Sequence, residues 1–305
     1  MYEKILITLD GSKASGIVLP YVEEIAAKSG AEIILVSVSE ITAAETDHLY
    51  RSYLEHIKAK VGQELKDWGA RKEIKIQNEV LLGKPASKIL HYAQEHNVSL
   101  IVMASRGRSD SGPWLLGNIA AKVLRAADRP VLLIRTPASD AALQQKKLIK
   151  KILLPLDGSL IAEVVIPHAE ELAKLLEAEL ILFRAVEPLS SMLRAEMVEA
   201  WFPMQEEDRR TIALAYLEEA SVGFQEKGIR TSIEVSSGPA AEQIISYAEA
   251  NAIDLIVMAT HGYSGVSRWV FGSVADKILH TGDTPVFVVR ATKMWELEEP
   301  KNAVI

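Results

Sequence analysis

The sequence predicts an α/β protein made of two repeated domains, each with a doubly wound, five-stranded parallel sheet. KILITLDGS at Lys4–Ser12 returns as KILLPLDGS at Lys151–Ser159, and LIVMASRG at Leu100–Gly107 returns as LIVMATHG at Leu255–Gly262. Within each copy, short apolar and β-branched runs alternate with segments of helical spacing, which is typical of a parallel sheet covered by helices on both faces. A repeat of this length, present twice, indicates a duplicated domain rather than a solenoid.

The first copy alternates strands and helices along its whole length. Gly30 is expected to cap the C-terminus of the first helix, and Pro85 is expected to open the third, because proline has no N–H to leave unpaired there. The alternating pattern of the third strand predicts an edge strand with one wetter face. The predicted strands are Lys4–Leu9, Ala31–Val38, Glu73–Gly83, Leu100–Ser105 and Pro130–Arg135. The predicted helices are Ser15–Lys28, Thr42–Lys72, Pro85–Asn97 and one that ends near Asp128.

The second copy repeats this order, with about eight additional residues around Pro188–Pro203, ahead of its long helix. Its predicted strands are Lys151–Leu156, Glu179–Val186, Arg230–Ser236, Asp254–Thr260 and Pro285–Arg290. Its predicted helices are Ala162–Leu176, one within Ser190–Lys227, Ala240–Ala250 and Val266–His280. We therefore expect domains at 1–137 and 150–291, a polar linker at 138–149 and a tail at 292–305. The apolar cluster around Trp201 is expected to pack on the adjoining helix, although it could form a lid or a partner contact.

The composition excludes several classes of site and partner. The 305 residues are 49% hydrophobic and 25% charged, so each half can bury a full core. Cysteine is absent, which excludes disulfides, thiolate metal sites and cysteine nucleophiles and is compatible with a reducing cytoplasm. A net charge of −7 disfavours nucleic-acid and anionic-membrane partners. Because the sequence also shows neither a signal peptide nor an apolar run of membrane-spanning length, we expect a cytoplasmic location and no membrane partner.

An Asp-Gly-Ser motif follows the first predicted strand of both copies, as Asp10-Gly11-Ser12 and Asp157-Gly158-Ser159. Open parallel sheets bind ligands at the carboxyl ends of their strands, where the strand order reverses. A carboxylate in this position could accept hydrogen bonds from sugar hydroxyls or act with a metal ion. The same three residues could instead form only a turn, with the serine capping the next helix. The sequence leaves both interpretations open.

A glycine-containing segment follows the fourth predicted strand of each copy. In the second copy, Gly272-Ser273 lies inside a helical pattern where glycine is unfavourable, so it predicts a helix start whose free N–H groups could bind an anion. The alternative is that Gly272 serves only close packing. In the first copy, Gly107 and Gly117 keep the same separation as Gly262 and Gly272, but Asn118 replaces the serine.

These motifs resemble those of the universal stress protein family, with each half similar to one family domain. Nucleotide-binding members show Gly-x-x-Gly, then nine residues, then Gly-Ser or Gly-Thr. In the second copy this motif falls on Ala259, Gly262, Gly272 and Ser273, so alanine replaces the first glycine. The matching first-copy positions are Ala104, Gly107, Gly117 and Asn118. The resemblance implies a Rossmann-like, adenine nucleotide alpha hydrolase-like fold with strand order 3-2-1-4-5.

The resemblance also implies that ATP, with or without Mg²⁺, binds between the first and fourth strands of a domain. Asp157 would contact the ribose, the backbone near Ala185 would read adenine, and Met258 would line the base. The other implied ATP-binding residues of the second domain, at the phosphates, are Ala259, Gly262, Gly272, Ser273 and Val274. The implied first-domain residues are Asp10, Val38, Met103, Ala104, Gly107, Gly117, Asn118 and Ile119. Because the second copy keeps its serine, it is the favoured nucleotide site.

The favoured functional interpretation is a stress-response sensor or switch that binds ATP and hydrolyses it slowly at most. No P-loop lysine, arginine finger or general base is evident, so no catalytic residue is assigned. The resemblance also implies domain pairing through the fifth strands, which would give an intramolecular pseudo-dimer, and other surfaces could support a homodimer. Two alternatives remain at this point. One is a nucleotide-independent interaction protein, in which the departures at Ala104, Asn118 and Ala259 mark lost binding. The other is an enzyme of a related adenine-nucleotide-binding fold.

Overall fold

Ten β-strands form one continuous sheet in a computed structural model of the chain. The structure describes residues 1–41, 44–69, 73–107, 116–135, 149–187, 205–261 and 271–290. The predicted tail, most of the predicted linker and the segment around Trp201 lie outside these ranges. The strands of the first half are β1 Lys4–Thr8, β2 Glu32–Ser39, β3 Ile76–Leu82, β4 Leu100–Ala104 and β5 Val131–Ile134. Those of the second half are β6 Lys151–Pro155, β7 Glu179–Val186, β8 Thr231–Ser237, β9 Leu255–Ala259 and β10 Val286–Val289.

Helices cover both faces of this sheet. The first half contributes α1 Leu19–Ser29, α2 Ala44–Asp67, α3 Pro85–Glu95 and α4 Asn118–Ala126. The second half contributes α5 Leu160–Glu163, α6 Ile166–Leu176, α7 Glu206–Gln225, α8 Ala240–Ala250 and α9 Ser273–Thr281. Two apolar cores form, one on each face, and each core runs through both halves. None of the helices in the described ranges combines the length and the hydrophobicity needed to cross a membrane.

The strand order confirms the predicted fold class. The order β3-β2-β1-β4-β5-β10-β9-β6-β7-β8 is 3-2-1-4-5 in the first half and its mirror in the second. Neighbouring strands within each half are parallel, whereas β5 and β10 pair antiparallel, with Phe287 opposite Leu132. The two fifth strands therefore join the halves, and the third strand of each half lies at an edge of the sheet.

The first helix of each half is interrupted where the sequence predicted one continuous segment. Residues Ser15–Val18 form a 3-10 turn before α1, and α5 is separate from α6. Pro20 and Pro167 stand in the first turns of α1 and α6, where a missing N–H is tolerated but a continuing helix is not. Gly30 caps α1 in the left-handed conformation, at φ 76°, as predicted. The long helix predicted from Thr42 to Lys72 ends at Asp67, because Gly69 turns left-handed at φ 71°.

Aromatic packing closes the junction of the two halves. Phe287 on β10 is completely buried, with its ring 5.7 Å from that of Tyr2 and 5.8 Å from that of His168 on α6. The Tyr2 hydroxyl lies 3.1 Å from His168 Nδ1. Beyond β5, the guanidinium of buried Arg135 donates to the carbonyls of Ile278 and Leu279 in α9, at 2.7 and 2.8 Å. Side chains of one half therefore complete the core and a helix terminus of the other.

A buried carboxylate connects the halves on the α1 side of the sheet. Glu24 on α1 is fully buried, and its Oε2 accepts a hydrogen bond from the N–H of Ile149, at 3.1 Å, just before β6. Lys28, one turn further along α1, lies 3.7 Å from Glu24 Oε1. The Lys28 ammonium also donates to the carbonyl of Leu176 at the end of α6, at 3.1 Å. Helix α1 thus contacts the segment just before β6 and the end of α6 in the second half.

The burial of Glu24 predicts a pH-dependent contribution to stability. Burial raises the pKa of Glu24, although the hydrogen bond from Ile149 and the charge of Lys28 oppose the shift. A carboxyl whose pKa rises on folding binds its proton more tightly in the folded state, so its contribution is full at acidic pH and is lost as pH rises through the raised pKa. We expect the free energy of unfolding of the wild type to fall, relative to Glu24→Gln, as pH rises from acidic values through the raised pKa of Glu24. Urea denaturation at several pH values measures this, with exposed Glu219→Gln as control, and a difference independent of pH would contradict it.

Candidate functional site

A cavity opens at the carboxyl ends of β1, β2 and β4 in the first half, with about 620 Å³ of empty space, part of it open to solvent. Helices α3 and α4 form its other walls. Six of the residues that the sequence assigned to a first-half nucleotide site line it: Asp10, Val38, Met103, Ala104, Gly107 and Ile119. The other lining residues are Thr8, Leu9, Ser15, Val36, Pro85, Ile89, Ser105, Arg106 and Ala120. The structure thus brings residues from five elements around one cleft.

The Asp-Gly-Ser motif forms the same turn in both halves. Oδ1 of Asp10 accepts hydrogen bonds from the N–H and hydroxyl of Ser12, at 2.9 and 2.6 Å. Asp157 makes the same two bonds with Ser159, at the same distances. The middle glycines are left-handed, with Gly11 at φ 82°, a conformation that glycine adopts without strain. Both copies therefore form this turn, and the turn fixes the direction of each carboxylate.

Gly107 brings the end of β4 against this carboxylate. A Cβ atom at position 107 would overlap Oδ2 of Asp10 and would lie 3.4 Å from its Cγ. Gly107 has no left-handed φ, so its lack of a side chain serves close approach rather than backbone conformation. The Asp10 carboxylate therefore lies between the turn after β1, which holds Oδ1, and the backbone after β4.

The start of α4 lies beside the same cleft. Gly117 is its N-cap and donates a hydrogen bond to the carbonyl of Ser105, at 2.7 Å. Asn118 is the first residue of the helix, and Ile119 and Ala120 of its first turn line the cavity. Gly117 and Asn118, although predicted as ligand contacts, are not among the lining residues described. The unpaired N–H groups of a first helical turn carry a partial positive charge that favours an anion.

Tyr53 of α2 adds a hydroxyl to the neighbourhood of the turn. Burial raises the pKa of Tyr53, and the charge of Asp10 adds to the shift, against a hydrogen bond with Ser15. Tyr53 therefore stays protonated and neutral near pH 7. Among the described residues of the cavity wall, the charged side chains are those of Asp10 and Arg106.

The second half repeats this framework. Asp157 follows β6, Ala185 lies near the end of β7, and Met258 and Ala259 end β9. Gly272 donates to the carbonyl of Thr260, at 2.9 Å, as Gly117 does to Ser105. The next two predicted residues, Ser273 and Val274, open α9. Gly262, which the sequence assigned to the same site, lies outside the described residues.

One wall of the first-half cavity is formed by residues outside the predicted site, Val36, Pro85 and Ile89. Val36 lies two residues before Val38 on β2, so both side chains lie on the same face of the sheet, and the alternation of a strand would have revealed Val36. Pro85 and Ile89 of α3 complete this apolar wall. The helical spacing of α3 indicates that one face of the helix is buried. It does not indicate that part of this face borders a cavity.

Comparison with known proteins identifies the domain type. The universal stress protein family model matches residues 1–135 and 148–290. A universal stress protein of Synechocystis sp. is 24% identical over 318 residues, covering 94% of this chain and 100% of that protein. One from Methanocaldococcus jannaschii is 31% identical over 150 residues, covering 48% of this chain and 86% of that protein.

A solved structure shares the complete fold. The crystal structure of a universal stress protein from Archaeoglobus fulgidus covers 95% of this chain and 99% of its own, with a TM-score of 0.68 and 22% identity. The resemblance drawn from the glycine and Asp-Gly-Ser motifs is confirmed by the two matches of the family model. Because those matches account for both halves, the chain belongs to the universal stress protein family, with two family domains in tandem.

Proposed function

We propose that this chain binds an adenine nucleotide, ATP above all, in the first-half cavity, and that occupancy of this site acts as a switch. The observation that carries the proposal is the cavity itself, which joins an apolar slot to a polar end. Part of its roughly 620 Å³ of empty space is open to solvent, so a ligand can reach its walls. It also lies at the strand ends where open α/β sheets bind ligands.

The chemistry of the walls matches the parts of a nucleotide. Val36, Val38 and Met103 offer an apolar slot of the kind that a flat purine fills. Asp10 supplies a fixed carboxylate for ribose hydroxyls, because its Oδ1 is already oriented by the turn. Arg106 and the first turn of α4 supply positive charge for the phosphates.

The same walls favour a switch over rapid hydrolysis. Efficient phosphoryl transfer needs a cation on the transferred phosphate and a group that orients the attacking water. The described cavity wall offers one cationic side chain, Arg106, and one carboxylate, Asp10, which the ribose would occupy, so no carboxylate remains there to orient an attacking water. Within the described ranges, no group of three His, Cys, Asp or Glu side chains is arranged to hold a metal ion. Mg²⁺ that enters with ATP would be held mainly by the ATP phosphates.

Calorimetric titration of nucleotide-free protein tests the proposal. We expect saturable binding of Mg²⁺–ATP, with GTP at least about tenfold weaker, or about 1.4 kcal/mol, because the apolar slot offers no hydrogen-bond partners to the additional polar groups of guanine. Turnover measured in parallel should be slow. Absence of ATP binding up to millimolar concentration would contradict the proposal and favour the nucleotide-independent interaction protein.

A further inference from the structure

The two halves differ at one position that lines the first-half cavity. Strands β2 and β7 are each eight residues long, begin with glutamate and occupy the same place in their half of the sheet. Aligned residue by residue, EIILVSVS and ELILFRAV place Phe183 at the position of Val36 and Ala185 at that of Val38. Val36 lines the apolar slot of the first half. The equivalent wall of the second half therefore carries a phenyl ring.

The Phe183 ring fills the core at this position. Its side chain is completely buried, and its ring lies 5.2 Å from that of Tyr247 on α8, tilted by 50°. It belongs to the same core cluster as Ile244 and Met258, which stand where Ile89 and Met103 line the first-half cavity. A phenyl ring is about as large as the six-membered ring of adenine and larger than the isopropyl group that Val36 presents at the same position.

The residue after Phe183 on β7 also differs from its first-half counterpart, and its side chain lies on the other face of the sheet. Arg184 stands where the first half has Ser37, and its guanidinium nitrogens lie 3.1 and 3.2 Å from the position of a Cβ on Gly158. The guanidinium stacks 5.0 Å above the ring of Tyr216, whose hydroxyl donates to Glu163 Oε1, at 2.7 Å. The turn after β6 is thus packed by the protein's own side chains.

We propose that Phe183 closes the base site of the second half, so that the chain binds one nucleotide, in the first half. The inference rests on the proposed function and adds the stoichiometry and the residue that sets it. It reverses the expectation drawn from Ser273 and Asn118. Serine or asparagine at the helix start affects the phosphate end, whereas Phe183 removes room for the base. A nucleotide whose base does not fit cannot bind, even where the residues around its phosphates are favourable.

Reciprocal substitutions at the two equivalent positions test the inference. Wild-type protein should titrate with one Mg²⁺–ATP per chain, and photolabelling with 8-azido-ATP followed by peptide mapping should mark first-half peptides. Val36→Phe should weaken binding at least tenfold. Phe183→Val should keep the first-half site and gain labelling in the second half. Val222→Phe, at a half-exposed position of α7, controls for the added ring.

The possible outcomes separate the two proposals. Labelling of second-half peptides in the wild type, with unchanged affinity in Val36→Phe, would overturn the role of Phe183 and leave nucleotide binding intact. No labelling in either half would overturn both. If a variant fails to fold, as judged by circular dichroism, the peptide map of the wild type still decides, because first-half labelling alone supports the inference and second-half labelling refutes it.

Discussion

Replacing Gly107 with valine is expected to weaken nucleotide binding by about 30-fold, which corresponds to about 2 kcal/mol. A side chain at position 107 would overlap Oδ2 of Asp10. A shift of the carboxylate to relieve this overlap would strain its hydrogen bonds from Ser12, and bonds to a charged group contribute about 1.5–3 kcal/mol each. Asp10 would then no longer point into the cavity. Titration with Mg²⁺–ATP measures the change in affinity.

Gly16→Ala is the matched control for this prediction. Gly16 lies in the 3-10 turn just after the same motif, has no left-handed φ, and a Cβ there would meet nothing within 4 Å. We expect its affinity for ATP to stay within about twofold of the wild type, since changes away from such contacts usually cost less than about 0.5 kcal/mol. Equal affinities for Gly107→Val and Gly16→Ala would show that the approach of Gly107 to Asp10 has no part in binding.

Replacing Phe287 with alanine is expected to lower the free energy of unfolding by about 3–5 kcal/mol. The ring is completely buried at the junction of the halves, where it contacts Tyr2 in an edge-on arrangement at 5.7 Å and lies beside His168. Its strand partner is Leu132 of β5. Removing the ring leaves a cavity shared by both halves, so both should lose stability together. Urea denaturation, followed by fluorescence and by circular dichroism, measures the loss.

Two further variants show whether this loss comes from the lost volume. Phe287→Leu keeps most of the apolar volume and should lose less than half as much. Ile212→Ala, at a position of α7 that is 51% exposed, should change stability by no more than about 0.5 kcal/mol. If Phe287→Ala unfolded in two separate transitions while keeping most of its stability, the junction would not couple the halves as the shared core implies.

Local patterns were sufficient to predict the strands and most helices. The buried strands are mostly apolar on both faces, whereas the edge strands β3 and β8 contain several polar residues and are mostly only partly buried, so the sequence of each strand reflects its neighbours. The helix breaks at Pro20 and Pro167 were missed, because proline is compatible both with a first turn and with a preceding 3-10 turn. Such boundaries depend on packing against the sheet as well as on residue preference.

The candidate site was only partly predictable. Asp10 and Gly107 belong to motifs that the sequence repeats, and motif position alone placed them at the strand ends. Their approach depends on β1 and β4 being neighbours, which the sheet order decides. Val36 and Ile89 carried no motif, because an apolar residue at a cavity has the same pattern as one in a solid core.

The sequence by itself determined the duplication, the α/β class and the family, because repeated motifs and hydrophobic periodicity are local properties of the chain. Only the tertiary structure decided how the two copies differ. The sequence shows phenylalanine at position 183 and valine at position 36, yet both are ordinary residues of a buried strand. The consequence of that difference depends on which space the side chain enters. In the first half that space is part of a cavity, and in the second half the ring of Phe183 fills the core against Tyr247.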